Sequence, residues 1–255
     1  MLTPAQCLKS KPKAICDRLN HITTGDSNTI LKQLPNDSIA LAVEDAPYGI
    51  DFKLGWRKNK IPTSNGIAND KNNLTMLDQH IAQVSRVLKP NSHLYWFTRW
   101  DKLGEHAKLL QSHGLSVKNA LIWEKDQFGM GDLKGAYANQ YEVILFAQKG
   151  FKPLNCIDLP EGQKTSKGLP RKCRHSDILN YDRPNTKAML HNHQKPEELI
   201  QFLIEKSSNK GDIVLDGFLG SGTTAIAAKK ANRNWIGIEI DPKIVAIAEN
   251  RIQNN

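Results

Sequence analysis

The stretch "DIVLDGFLGSGTTAIAAKKA", followed directly by "NWIGIEIDPKIVAIAENRI", leaves few folds open to this chain. Each half reads as a short apolar run followed by a helix. The apolar runs do not alternate with polar residues, so they are strands buried on both faces. Such strands run parallel in a sheet covered by helices on either side. Between the first strand and its helix lie Gly217, Gly220 and Gly222, which permit positive φ and a close approach of backbone to ligand. The order is G-x-x-G-x-G, not the G-x-G-x-x-G of a dinucleotide site, and the G-K-[ST] of a phosphate-cradling loop is absent. Asp216 ends the first strand and Glu239 lies near the end of the next. A carboxylate at the second position suits the two hydroxyls of a ribose. A carboxylate beside the loop disfavours phosphate and tolerates a cation such as a sulfonium. A tight turn would also use these glycines, but together with Glu239 they point to an adenosine ligand, with S-adenosylmethionine as the expected cofactor.

A second feature lies far upstream. "SIALAVED" (38–45) is a buried strand of small and branched residues that ends at Asp45, and "APYGIDF" follows. Asp45, Ala46, Pro47 and Tyr48 could be an ordinary strand-to-loop turn. They could equally set a carboxylate and a ring around one flat polar substrate. Between the two features the pattern predicts a long polar, basic loop over 52–73 and a helix from Leu74 to Leu88, stopped by Pro90. A strand "HLYWF", a helix ended by Gly114, and strands "VKNALIWEK" and "YEVILFAQK" follow. The chain is irregular, polar and basic from 151 to about 190, after which Pro196 opens a helix with Glu197 and Glu198 in its first turn.

Taken together these segments resemble the amino-methylating DNA methyltransferases of the permuted β arrangement. In that family a D-P-P-Y-type motif precedes the cofactor motif F-x-G-x-G, as Asp45 to Tyr48 precede Phe218 to Gly222 here. "GDSNTILKQLPNDSIALAVEDAPYGI", "RVLKPNSHLYWF", "YEVILFAQKG" and "HNHQKPEELIQFLI" resemble further family stretches in the same order. The resemblance implies a Rossmann-like α/β fold with a mostly parallel seven-stranded sheet, helices on both faces, and a single methyltransferase domain over 1–255. Asp45 and the carbonyl of Ala46 would accept hydrogen bonds from the exocyclic amine of a flipped-out base, on which Tyr48 would stack. The cofactor would be held by Phe218, Gly220, Ser221, Gly222, Thr223 and Glu239, with Asp216 beside the loop, Asp26 near the adenine edge and Lys195 on the cofactor side. Asp rather than Ser at the first motif position implies adenine N6 rather than cytosine N4. Two positions depart from the family pattern: Ala46 stands for a Pro, which frees its φ, and Gly217 stands for a Pro before Phe218.

Charge agrees with a polyanionic partner. The 255 residues carry 35 Lys plus Arg against 26 Asp plus Glu, a formal net charge of +9, which favours double-stranded DNA. Lys53, Arg57, Lys58 and Lys60 cluster in the first long loop; Lys164, Lys167, Arg171, Lys172 and Arg174 cluster in the second. Both loops are expected to face DNA, with Trp56 and Phe128 as the better candidates for base contacts and Trp96, Trp100 and Trp123 mostly in the core. Arg99 and Trp100 fit either the site or a solvated turn. Hydrophobic content of 39% fits a globular protein, and no apolar run approaches the roughly 20 residues of a membrane span. The four cysteines form no CxxC pair, so reduced thiols in a prokaryotic or phage-encoded cytoplasmic protein are expected. Cys156, Cys173, His175, His191 and His193 match no zinc spacing. The sequence allows a homodimer and names no restriction partner. Its rival readings are a catalytically silent nucleic-acid-binding subunit and a methyltransferase acting on RNA or protein amines.

Overall fold

The structure is a computed structural model that describes residues 11–47, 73–128, 135, 137–156, 175–183 and 194–255. Tyr48, Lys53, Trp56, Arg57, Lys58, Lys60, Lys164, Lys167, Arg171, Lys172, Cys173, Arg174, His191 and His193 lie outside these residues.

The described strands are β1 (Ile22–Thr24), β2 (Ile39–Glu44), β3 (Leu88–Thr98), β4 (Ser116–Glu124), β5 (Tyr141–Lys149), β6 (Ile178–Asn180), β7 (Ile213–Asp216) and β8 (Asn234–Glu239). They form one sheet in the order β1-β8-β7-β2-β3-β5-β4-β6. The pairs among β1, β8, β7, β2 and β3 are parallel, and so is β4 with β6. Only β5 runs against its neighbours β3 and β4. The sheet is therefore mostly parallel, as expected, but it has eight strands where seven were expected. The extra strand is β6, three residues within the irregular 151–190 stretch, whose alternation is too short to read from sequence.

Strand alternation assigns side chains to two layers. Ala42, Leu94, Trp96, Leu145 and Ala147 pack with helices α1 (Lys13–Cys16), α2 (Ser27–Leu31), α3 (Asn73–Val87) and α4 (Leu103–Ser112). Leu41, Val43, Tyr95, Phe97, Ile144 and Phe146 pack with α5 (Glu197–Ser207) and α6 (Thr223–Lys230). A last helix, α7 (Pro242–Gln253), starts from an Asp241 cap that accepts from Lys243 N at 2.8 Å. Helix α3 ends at Val87, and β3 already begins at Leu88, earlier than Pro90 suggested. The left-handed Asn91 (φ 57°) and a shift in the β2–β3 register absorb the irregularity. Cys16 and Cys156 each take part in a disulfide, which departs from the reduced thiols expected. No helix among the described residues is long and apolar enough to cross a membrane.

Candidate active site

Parallel pairing of β1, β8, β7 and β2 aligns their carboxyl ends along one edge of the sheet, where ligands of open α/β sheets bind. Each strand delivers an acidic residue there: Asp26 just past β1, Glu239 closing β8, Asp216 closing β7, and Glu44 closing β2 with Asp45 next in line. Register fixes their neighbourhood, since Thr24 pairs with Glu239 and Asp216 with Gly237.

The glycine loop is held from below. Gly220 adopts φ 54° and donates its N–H to Glu239 Oε2 at 2.9 Å, while Asp241 N donates to Oε1 at 3.0 Å. Burial raises the Glu239 carboxyl above its ordinary range, opposed by these N–H donors. Phe218 N donates to Asp216 Oδ1 at 2.9 Å. Burial, with Glu44 nearby, pushes the Asp216 carboxyl well up, favouring its neutral form. Ser221 and Thr223 meet Arg251 of α7, whose Nη1 donates to Ser221 Oγ at 2.9 Å and Thr223 Oγ1 at 3.4 Å. Gly222 (φ 87°) caps α6, and a Cβ there would come within 3.3 Å of Ala248 and Ile252, so close packing of α7 is one reason for that glycine. Asp26 caps α2, accepting from Thr29 N and Thr29 Oγ1 at 2.8 Å each.

Gly217 has a local reason for not being proline. Its N–H donates to Glu44 Oε2 at 3.0 Å, a bond that proline could not make. A Cβ at Gly217 would sit 2.6 Å from His80 Cε1, 2.8 Å from Ser27 Oγ and 2.9 Å from Glu44 Oε2. His80 and Glu44 are both buried, with His80 Nε2 3.1 Å from Glu44 Oε2 and its ring 4.5 Å from that of Phe218. Neither residue was singled out from sequence. The available signals were a Glu inside an apolar strand and a His at the i+3 position from Leu77 on the buried face of α3.

A second charged cluster is centred on Lys195. Expected on the cofactor side, its Nζ lies 2.8 Å from Asp45 Oδ2 and 3.0 Å from Glu142 Oε2. Lys125 takes the other Glu142 oxygen, Oε1, at 2.8 Å. Burial alone would raise Glu142, yet Lys195 and Lys125 hold it at about 2. Burial disfavours the charge of Lys195, but Asp45 and Glu142 outweigh it and raise the amine above its ordinary range. Glu142 and Lys125 were also missed, because they lie in a strand and just past one that read only as sheet. Ala46 is buried in the α1–α4 layer beside this cluster. Trp96 and Trp123 are core, whereas Trp100 is 60% exposed beside an Arg99–Asp101 ion pair, the geometry of a solvated turn. Phe128, 66% exposed, is open to a partner.

Known proteins place this arrangement in a class. A model of the DNA methylase family, the N6 and N4 amino-methyltransferases, matches residues 39–250. The chain belongs to that family of DNA-methylating enzymes. It is 30% identical over 239 residues to the type II methyltransferase M.HpaI of Haemophilus parainfluenzae, covering 89% of this chain and 73% of that protein. It is 26% identical to the DNA adenine methyltransferase YhdJ of Escherichia coli K12, covering 95% of this chain and 85% of that one. Among solved structures, the M1.HpyAVI–SAM complex superposes with a TM-score of 0.65 at 24% identity, over 91% of this chain and 98% of that chain. The PvuII cytosine-N4-specific DNA methyltransferase gives 0.66 at 16% identity, over 92% and 90%.

Proposed function

We propose that this chain transfers a methyl group from S-adenosylmethionine to the exocyclic N6 amine of an adenine flipped out of double-stranded DNA. The observation that carries the reading is one sheet edge on which Asp45 stands beside the glycine loop and Glu239. The loop and its neighbours fit the cofactor chemically. Glu239 offers a fixed carboxylate for ribose hydroxyls, and no lysine of the loop calls for phosphate. Ser27 Oγ and Asn28 Oδ1, beside the loop, are buried polar atoms without a hydrogen-bond partner among the described residues. When bound, S-adenosylmethionine supplies an electrophilic methyl group.

The protein's own part is positioning and electrostatics. The amine of adenine is a poor nucleophile because its lone pair is delocalised into the ring. Asp45 and the Ala46 carbonyl accept its two hydrogens, draw the nitrogen towards tetrahedral geometry and offset the positive charge that grows on it. Unstacking the base costs a few kcal/mol, of which Tyr48 recovers a part by stacking. Asp216 and Glu239 stay with the cofactor half. The relatives are named as bacterial type II and adenine DNA methyltransferases, which suits a cytoplasmic bacterial or phage enzyme.

Nucleoside mass spectrometry of unmethylated DNA incubated with protein and S-adenosylmethionine tests this. N6-methyladenine is expected. N4-methylcytosine would shift the target base, and no methylated nucleoside would support a silent subunit.

A further inference from the structure

Four charged side chains from separate parts of the chain converge beside β2: Asp45, Lys195 before α5, Glu142 of β5 and Lys125 after β4. We propose that Lys195, anchored by Glu142, is the positioning residue for Asp45, fixing the carboxylate's rotation for its work on the base amine. The inference rests on Asp45 being the acceptor for that amine.

A lysine ammonium has three donors. Lys195 directs its amine at Asp45 Oδ2 and Glu142 Oε2, and the Phe97 ring centroid lies 5.1 Å from Nζ. Gripped on three sides, a long side chain that is ordinarily floppy becomes a fixed post, and Asp45 held through Oδ2 cannot turn freely. Charge explains why the post has two carboxylates. A lone cation on Asp45 would weaken its field towards a nitrogen becoming positive. Glu142 cancels that cation, and Lys125 on the far oxygen keeps Glu142 itself ionised. Among the described residues, the ionisable groups bearing on Asp45 include Lys195, Glu142 behind it, and Asp216 across the loop, the last favoured in its neutral form. Removing Lys195 takes away a cation 2.8 Å from Asp45, and protonation of Asp45 becomes easier. Removing the Glu142 charge has the opposite effect, because Lys195 then spends its whole charge on Asp45.

The opposite signs make the test. Lys195→Met, Lys195→Arg, Glu142→Gln and the Met/Gln double variant are compared with wild type in two measurements. One is the kcat and cofactor KM for DNA methylation from about pH 6 to pH 9. The other, independent of activity, is the 13C titration of the Asp45 carboxyl. Lys195→Met should lower kcat at neutral pH by at least about tenfold with cofactor KM within about threefold, and the loss should shrink as pH rises. Lys195→Arg should restore most of it. The Asp45 signal should titrate at higher pH in Lys195→Met and at lower pH in Glu142→Gln, and the double variant should be less impaired than Lys195→Met. If Lys195→Met does not fold, the downward movement in Glu142→Gln decides alone. An Asp45 titration unmoved by either substitution overturns the proposal. So does a loss confined to cofactor KM with an unaltered pH profile, which would assign Lys195 to the cofactor. A wild type that methylates no DNA while Asp45 titrates as described would end the DNA reading and leave the positioning role standing.

Discussion

Glu239 has each carboxylate oxygen held by a backbone N–H, from Gly220 and from Asp241, so its orientation is fixed, as the proposed ribose contact requires. Glu239→Ala should weaken S-adenosylmethionine binding by about 1.5–3 kcal/mol, the range for hydrogen bonds to a charged group. Calorimetry finding unaltered affinity in the folded variant would remove Glu239 from the site. Gly217 is constrained from three directions by His80, Ser27 and Glu44. Gly217→Ala should lower stability by about 1–3 kcal/mol, the cost of overpacking a core; an unchanged urea midpoint would show that His80 gives way freely. At this scale the sequence was most legible where a residue ends an apolar run, as Asp45, Asp216 and Glu239 do. Glu142 and Lys125 were not legible, because only the antiparallel pairing of β4 with β5, which sets Glu124 opposite Tyr141, brings them to Asp45.

Two histidines, His93 of β3 and His106 of α4, are buried against the sheet, and each is held in the neutral form. His106 Nδ1 accepts from Trp96 Nε1 at 3.1 Å and lies 2.8 Å from Thr98 Oγ1; His93 Nδ1 lies 2.8 Å from Ser207 Oγ. Burial lowers both to about 4 from 6.5. The unfolded chain therefore takes up these protons first, and stability should fall as pH drops from about 6.5 to about 4, by up to about 1.4 kcal/mol per pH unit for each histidine. Urea unfolding at several pH values should show a shallower slope for His106→Gln than for wild type, and equal slopes would contradict the assignment. The carboxyl end of α5 is secured by cations: Lys152 Nζ donates to Ser207 O at 2.8 Å and Arg233 Nη2 to Ser208 O at 2.6 Å. Arg233→Met should cost about 1.5–3 kcal/mol of stability, again the range for charged hydrogen bonds, read from the shift in denaturation midpoint. Periodicity identified every described helix of eight residues or more and most strands, but not the three-residue β1 and β6 or the start of β3 at Leu88. In each, pairing partners distant in sequence override the local pattern.

Across the whole molecule, chemistry gathers at one edge of an eight-stranded sheet, and the formal charge of +9 is a property of the entire chain. If about five phosphates are neutralised, log K for DNA against log salt should slope near −4 to −5; filter-binding that is flat with salt would remove DNA as the partner. The permuted order of the motifs, with Asp45 far ahead of the glycine loop, was legible because each motif is local. That both reach the same edge follows from β2 pairing directly with β7. In the proposed function Asp45 performs the chemistry while the glycine loop and Glu239 hold the cofactor. The most direct measurement compares wild type with Asp45→Ala in single-turnover methyl transfer to unmethylated DNA, with S-adenosylmethionine affinity measured on the same samples. N6-methyladenine is expected from wild type, with at least about a hundredfold slower transfer in Asp45→Ala and nearly equal cofactor affinity in both. Full transfer by Asp45→Ala would contradict the proposed role of Asp45.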